Sequence, residues 1–421
     1  MRLRSPAVLT LLTLAACVSA PPPPEVTARW WKGNLHTHSL WSDGNDYPEM
    51  ILDWYKAHGY HFAALSDHNT LNQGERWIDL ESAGGDAVLA KYQERFGEEW
   101  VEERDQDGAR EVRLKTLPEY RSLFEEPGQF LLIQSEEITD GFEGRPVHVN
   151  ATNVAELIEP RGGTSVSDVM QQNVDAVLEQ RERTGQLMFP HINHPNFGWA
   201  AKVEDLIALR GERFFEVYNG HPAVRNEGDA THPSTERMWD ILLAERLSDG
   251  QEVMYGMATD DSHSYHEVGL EHANPGRGWV MVRAESLDAD ALIRAMEAGD
   301  FYSSSGVTLE AIDASSEGLS LTIEAEPGVE YRTRFIGTRR EYDRAPAEIE
   351  IEDEDGASVL YRYSNEIGEV LAEVEGATPS YAFGGDEIYV RARIVSTRLK
   401  ENPYREGEFE TAWVQPVVLI P

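Results

Sequence analysis

Short apolar runs alternate with amphipathic stretches through the first two thirds of the chain. Residues 30–35, 61–66, 130–135, 147–152, 187–189, 214–218, 253–258 and 279–282 read as strands. Residues 48–58, stopped by Gly59, read as a helix, as do 167–184, stopped by Gly185, and the stretches 236–247 and 288–298. Glycine just past a final helical turn is a common stop, because it enters the left-handed conformation without a Cβ clash. Strands alternating with helices predict an α/β fold with mainly parallel strands. Two segments depart from this rhythm. Residues 75–128 are highly charged and predict a helical insertion, either a wall of a pocket or a solvated decoration. From residue 309 to 421 the pattern turns to short alternating strands without a long helix, which predicts a small C-terminal β-sandwich.

The polar residues that interrupt the strand ends carry the chemistry. His36 and His38 flank Thr37 just after the apolar approach of Trp30, Trp31 and Leu35, and Asp43 follows closely. Residues two apart on a strand share a face, so both imidazoles can converge on one ion. Four further clusters follow: Asp67-His68, Glu136-Glu137 with His148, His191 with His194-Pro195, and Asp260-Asp261-Ser262-His263. Imidazoles and carboxylates on successive strand ends describe a divalent metal centre, at the end of a parallel α/β barrel where such folds place their chemistry. A closed structural zinc site needs four ligands and favours Cys, and these dispersed clusters contain none.

Composition narrows the partners. The 37 basic residues face 75 acidic ones, which excludes nucleic acid as the main partner, since phosphate-backbone affinity rests on Lys and Arg. The first residues read as an export signal: Arg2 and Arg4 precede an apolar stretch too short to span a bilayer comfortably. It ends in Leu14-Ala15-Ala16-Cys17, resembling a bacterial lipobox with Cys17 as the acylated residue; cleavage after Ala20 competes with this, but Pro21 disfavours it. Residues 1–24 are therefore expected to be a lipoprotein signal peptide with a Pro-rich spacer, and the protein to be exported to the periplasm or cell surface and anchored in the membrane through Cys17. Cys17 is the sole cysteine, so no internal disulfide forms.

At these clusters the chain resembles the PHP (polymerase and histidinol phosphatase) metallohydrolase superfamily, over about residues 30–308. The resemblance implies a distorted (β/α)7 barrel, here residues 25–308, ahead of the β-sandwich. It implies nine metal ligands: His36, His38, Asp43, His68, Glu137, His148, His194, Asp261 and His263. In its pattern a strand ends in an acid followed by Ile, which selects Glu137 over Glu136. His-Pro selects His194 over His191, and Asp-X-His selects Asp261 over Asp260. Nine ligands suit two or three divalent ions (Mn²⁺, Zn²⁺ or Fe²⁺) bridged by Glu137. Asp67 is expected to orient a ligand.

Residues 217–222, Trp239-Asp240 and the tail around Ala412-Trp413 further resemble the carbaryl-hydrolase-like branch, whose members are often exported and often lack an assigned substrate. The expected function is a phosphoesterase acting on a small, anionic phosphate ester through a metal-bound hydroxide, with Glu137, Asp261 and His194 as catalytic residues. Hydrolysis of a carboxylic ester, amide or carbamate is the alternative, and a non-catalytic surface-binding module is a third. Arg145, Arg161 and Arg225 are the nearby candidates for an anion clamp. No Gly-X-Ser-X-Gly elbow occurs, so no covalent intermediate is expected.

Overall fold

The computed structural model of the chain describes residues 27–353 and 356–419; the segment expected to direct export, with Cys17, lies outside the described residues. Within it are seven α-helices and a main sheet of 13 strands. Seven strands follow one another in space in chain order: Arg29–Asn34, Phe62–Leu65, Leu131–Phe142, Arg145–Thr152, Phe189–Ile192, Phe214–Asn219 and Tyr255–Thr259. Neighbours run parallel except at Arg145–Thr152, which is antiparallel to the strands on both sides. The expected βα alternation breaks here. A two-residue turn at Glu143-Gly144, both left-handed (φ 49° and 82°), joins the third and fourth strands as a hairpin.

The ring of strands meets itself at the ligand-bearing end, where Thr37 and Ser262 form a parallel bridge. Away from that bridge, Trp279–Ala284 runs antiparallel to Arg29–Asn34. The backbone of Gly256, on the last of the seven strands, is met by side chains instead of a ladder. Its N–H donates to Gln415 Oε1 (3.0 Å), and its carbonyl accepts from Gln415 Nε2 (2.8 Å) and Ser303 Oγ (2.9 Å). Space is tight there, since a Cβ would lie 3.0 Å from Val217 and 3.1 Å from the indole of the fully buried Trp239.

The insertion differs from its helical expectation. It holds a three-stranded antiparallel sheet (Arg76–Asp79, Glu103–Gln106 and Ala109–Leu114) beside the helices Gly85–Phe96 and Leu117–Phe124. Charged pairs line the outer face of these strands: Arg104–Glu111 at 2.6 Å, Arg110–Glu103 at 2.7 Å and Arg113–Glu102 at 2.9 Å. Its buried face (Leu80, Leu89, Tyr92, Val112, Leu114) packs on Leu40, Trp41 and Tyr47, the segment that follows His38. The insertion therefore supports the ligand loop from outside.

No break in the main sheet separates the C-terminal strands from the seven-strand ring. Phe301–Ser304 pairs with Phe409–Val418, which carries the main sheet on into Glu387–Leu399, Tyr331–Arg339 and Glu369–Glu375. A second sheet (Leu309–Ala314, Gly318–Ile323, Ser380–Ala382) shares a core with these strands through Leu321, Phe335, Ile394 and Val414. Tyr389 and Trp413 share a core with Val149, Ile192 and Phe215 of the seven-strand ring.

Candidate metal centre

All nine residues singled out from the sequence converge at one end of the strand ring. His36 and His38 leave the end of Arg29–Asn34, and Asp43 stands on the turn that follows. His68 follows Phe62–Leu65 and forms a parallel bridge with Glu137 of the neighbouring strand. His148 lies on the antiparallel strand, His194 follows Phe189–Ile192, and Asp261 and His263 follow Tyr255–Thr259. Backbone bonds tie these ends together: His38 N–H to Ser262 O (3.0 Å), Asp261 N–H to His36 O (3.0 Å) and Glu137 N–H to Asp67 O (3.2 Å).

Glu137 is the hub. Its Oε2 lies 3.4 Å from His36 Nε2, 3.2 Å from His38 Nε2 and 2.9 Å from His68 Nδ1. Its Oε1 lies 2.9 Å from His148 Nδ1 and 3.4 Å from His194 Nε2. Asp261 Oδ1 is 3.2 Å from both His36 Nε2 and His38 Nε2. A third grouping gathers Asp43, His38, His68 and His263, with His263 Nε2 3.3 Å and His68 Nε2 3.5 Å from the Asp43 carboxylate.

The donors fit divalent cations. His36 Nε2, His38 Nε2 and Glu137 Oε2 are buried without a hydrogen-bond partner. Donors ~2.0–2.1 Å from a tetrahedral ion stand ~3.3 Å apart, close to the spacings above. The electrostatics agree. Burial disfavours charge on Glu137 and Asp261, yet surrounding imidazoles, His36 foremost, hold both well below the usual carboxylate range. Against the same burial, Asp261, Glu216 and Glu137 push His36 well above the ordinary imidazole value. Ionised carboxylates that favour a proton on these rings can favour a metal cation there instead.

Neighbouring acids face elsewhere. Glu136, one residue from the hub, points to the opposite face of the strand and accepts Ile158 N–H at 2.8 Å, and burial raises it to about 8. Asp260 accepts from the backbone of Gly276, Arg277 and Gly278 (2.8, 2.6 and 2.8 Å) and from Tyr55 OH (2.8 Å). Asp67 accepts from Ser39 N–H and Oγ (2.8 Å each), Ser42 Oγ (2.7 Å) and Asn72 Nδ2 (2.9 Å), fixing the turn beyond His38. Tyr120 of the insertion donates to Asn72 Oδ1 at 2.6 Å, which completes a chain from insertion to centre. Asp261 itself has a left-handed backbone (φ 49°), a strained state for a residue with a Cβ.

Sequence reasoning missed Glu216. Fully buried in the strand Phe214–Asn219, it sets Oε1 2.6 Å from His36 Nδ1 and accepts from Thr259 Oγ1 (2.8 Å), His194 N–H (2.8 Å) and Asn219 Nδ2 (2.8 Å). His191 lies beside it, its Nε2 3.4 Å from Glu216 Oε1. The remaining histidines stay away from the ligands, except His221. Its ring is near those of His263 and Phe197, and burial lowers it to about 4. Of the clamp candidates, Arg161 is taken by Glu179 at 2.6 Å and Arg225 lies over Trp199 at 4.8 Å.

No protein-family model matches the sequence, and no curated protein sequence matches it either. Similar solved structures include a two-domain protein from Bacteroides vulgatus containing a predicted PHP-like metal-dependent phosphoesterase. It has a TM-score of 0.38 and 14% identity, over 94% of this chain and 97% of that one. Another, from Bifidobacterium adolescentis and assigned as a metal-dependent phosphoesterase, has a TM-score of 0.29 and 14% identity over 63% and 95%. An amidohydrolase from Chromobacterium violaceum with bound sulfate and no metal has a TM-score of 0.27 and 13% identity over 56% and 88%. TM-scores this low leave the functional reading to rest on the donor geometry of this chain.

Proposed function

We propose that the chain is a metal-dependent hydrolase of the PHP superfamily, in its carbaryl-hydrolase-like branch, and that it acts as a phosphoesterase on a small anionic phosphate ester. The position of Glu137 carries this reading. One buried carboxylate with each oxygen facing a different imidazole set is built to be shared by ions. His36, His38 and Asp261 would hold one ion with Glu137, and His148 and His194 would hold a second with it. Asp43, His68 and His263 would hold a third. Bound there, Mn²⁺, Zn²⁺ or Fe²⁺ would lower the pKa of water toward ~7 and neutralise the oxygens of a phosphoryl group.

The protein's own groups do the rest. Asp261 is fixed by Asn219 Nδ2, 3.1 Å from its Oδ2, and accepts the proton of the attacking water at that carboxylate. His194, 3.9 Å from Asp261 Oδ2 with its backbone N–H held by Glu216, orients that face of the site. Phe197, ring centroid 5.1 Å from that of His194, supplies an apolar wall that limits water. Attack is direct, without a covalent enzyme intermediate.

The test is a panel of phosphomonoesters, phosphodiesters, carboxylic esters, amides and carbamates with the full-length protein, before and after chelation. Phosphate ester hydrolysis should vanish with chelator and return with Mn²⁺, Zn²⁺ or Fe²⁺. Activity that survives exhaustive chelation overturns the reading. Turnover confined to carboxylic esters, amides or carbamates replaces it with that alternative, and metal binding without turnover leaves a surface-binding module.

The same proposal has the protein exported and held at the membrane by an acylated Cys17, supported by the Leu14–Cys17 sequence alone. Cys17→Ser should free it from the membrane fraction, and a wild type that is already soluble refutes the anchor.

A further inference from the structure

The hydrolase reading gives no role to His221, a polar side chain beside the centre. His221 belongs to none of the donor groupings, yet its ring centroid lies 5.3 Å from that of His263 and 6.3 Å from that of Phe197. Its Nδ1 accepts the backbone N–H of Ala223 at 3.1 Å, so its ring proton resides on Nε2. A nitrogen that carries a proton has no lone pair for a cation. Among the described residues, no protein group accepts that proton, and the ring is only partly buried.

The backbone holds this ring in place firmly. His221 N–H donates to Asn219 Oδ1 (2.8 Å), and Val224 N–H closes a turn onto His221 O (3.0 Å). The same Asn219 donates to Asp261 Oδ2 (3.1 Å), which ties the turn to the centre. Gly220 is clamped between Thr259 O, which accepts its N–H at 2.9 Å, and the fully buried Arg277, whose guanidinium donates to its carbonyl at 2.9 Å. No side chain fits at Gly220, since a Cβ would lie 2.7 Å from Arg277 Cβ and 2.9 Å from Asp260 O.

We propose that His221 is a further catalytic residue whose Nε2–H donates a hydrogen bond to an oxygen of the substrate held at the centre; this rests on the hydrolase reading above. The donor is fixed before the substrate arrives, so it needs no reorganisation when charge develops on that oxygen. One such donor is worth ~10²–10³ in rate where its effect has been measured by deletion.

The test compares wild type, His221→Ala and His221→Gln as full-length, metal-loaded protein. Metal content is read by mass spectrometry, hydrolysis by the phosphate ester panel, and binding by calorimetric titration with inorganic phosphate. His221→Ala should keep its metal, lose roughly 100-fold in kcat/KM and bind phosphate about tenfold more weakly. Glutamine sets an amide N–H near the lost Nε2–H and should recover most of both. Metal loss in His221→Ala would make the residue a ligand and overturn the proposal. So would phosphate binding and kcat/KM within about twofold of wild type, or no recovery in a His221→Gln protein with wild-type circular dichroism. A wild type that binds no phosphate and cleaves no phosphate ester refutes the phosphoesterase reading instead, and this proposal with it.

Discussion

Glu216 Oε1 lies 2.6 Å from His36 Nδ1, and both side chains are fully buried. The carboxylate fixes the ring so that Nε2, its opposite nitrogen, faces Glu137 and Asp261. A carboxylate behind a ligating imidazole orients the ring and raises its basicity, and its removal costs about 10–100-fold in metal affinity. Glu216→Gln should therefore weaken Mn²⁺ or Zn²⁺ binding by about that factor in a competition titration, and Glu216→Asp should weaken it less. Unchanged affinity in Glu216→Gln would leave the contact with a packing role only.

The adjacent acids Glu136 and Glu137 should respond oppositely to the same change. Glu137→Gln removes charge where five imidazoles converge, so bound metal and activity should both fall to background. Glu136→Gln alters a group on the opposite face that accepts Ile158 N–H, so metal content should stay at the wild-type level. Elemental analysis of the two purified variants checks this, and metal loss in both would mean the strand tolerates no neutral side chain there.

Much of the candidate centre was legible because most of its candidate donors follow strand ends, where short spacings such as His36-Thr37-His38 translate directly into a shared face; Glu137 and His148 lie within their strands. Glu216 was legible in principle. An acid between Phe215 and Val217 on an interior strand demands a buried partner. The hairpin was hidden because polar residues from Gln134 to Asp140 break the apolar run well before the turn at Glu143-Gly144. The insertion's sheet was hidden because charged residues dominate its strands and only Val112 and Leu114 alternate as buried apolar positions, so the segment resembles an exposed helix. The continuity of the C-terminal strands with the rest of the main sheet depends on pairing between Tyr302 and Val414, which are far apart in the sequence.

Asp240 and Arg391 join those two regions. Arg391 Nε and Nη2 donate to the two Asp240 oxygens at 2.7 Å each, Tyr389 OH adds a bond at 2.9 Å, and Arg391 is fully buried. Breaking a buried pair leaves an uncompensated charge and costs about 3–5 kcal/mol. Asp240→Ala should lower the unfolding free energy in urea by about that amount. The double variant Asp240→Leu with Arg391→Met should be less destabilised than Asp240→Ala, since no lone charge remains. A loss below about 1 kcal/mol in Asp240→Ala would show that water reaches the pair.

Glu49 gives the fold a pH dependence of defined sign. Its carboxyl is fully buried beside Tyr92 OH (2.7 Å) and Trp100 Nε1 (2.9 Å), and burial raises it to about 7 from an ordinary value of 4.5. Below the ordinary value both folded and unfolded chains carry the proton, and no penalty exists. Between the two values the unfolded chain releases it while the folded chain keeps it, so stability falls as pH rises through this window and the penalty is complete above about 7. The window corresponds to roughly 3 kcal/mol from this one group. Glutamine retains an oxygen for Tyr92 and Trp100 but has no proton to lose. Glu49→Gln should therefore show a smaller fall in unfolding free energy than wild type between pH 5 and pH 8, and should be the more stable protein at pH 8. Parallel pH profiles for the two proteins would mean that Glu49 titrates alike in the folded and unfolded chains, and that its burial does not govern its proton.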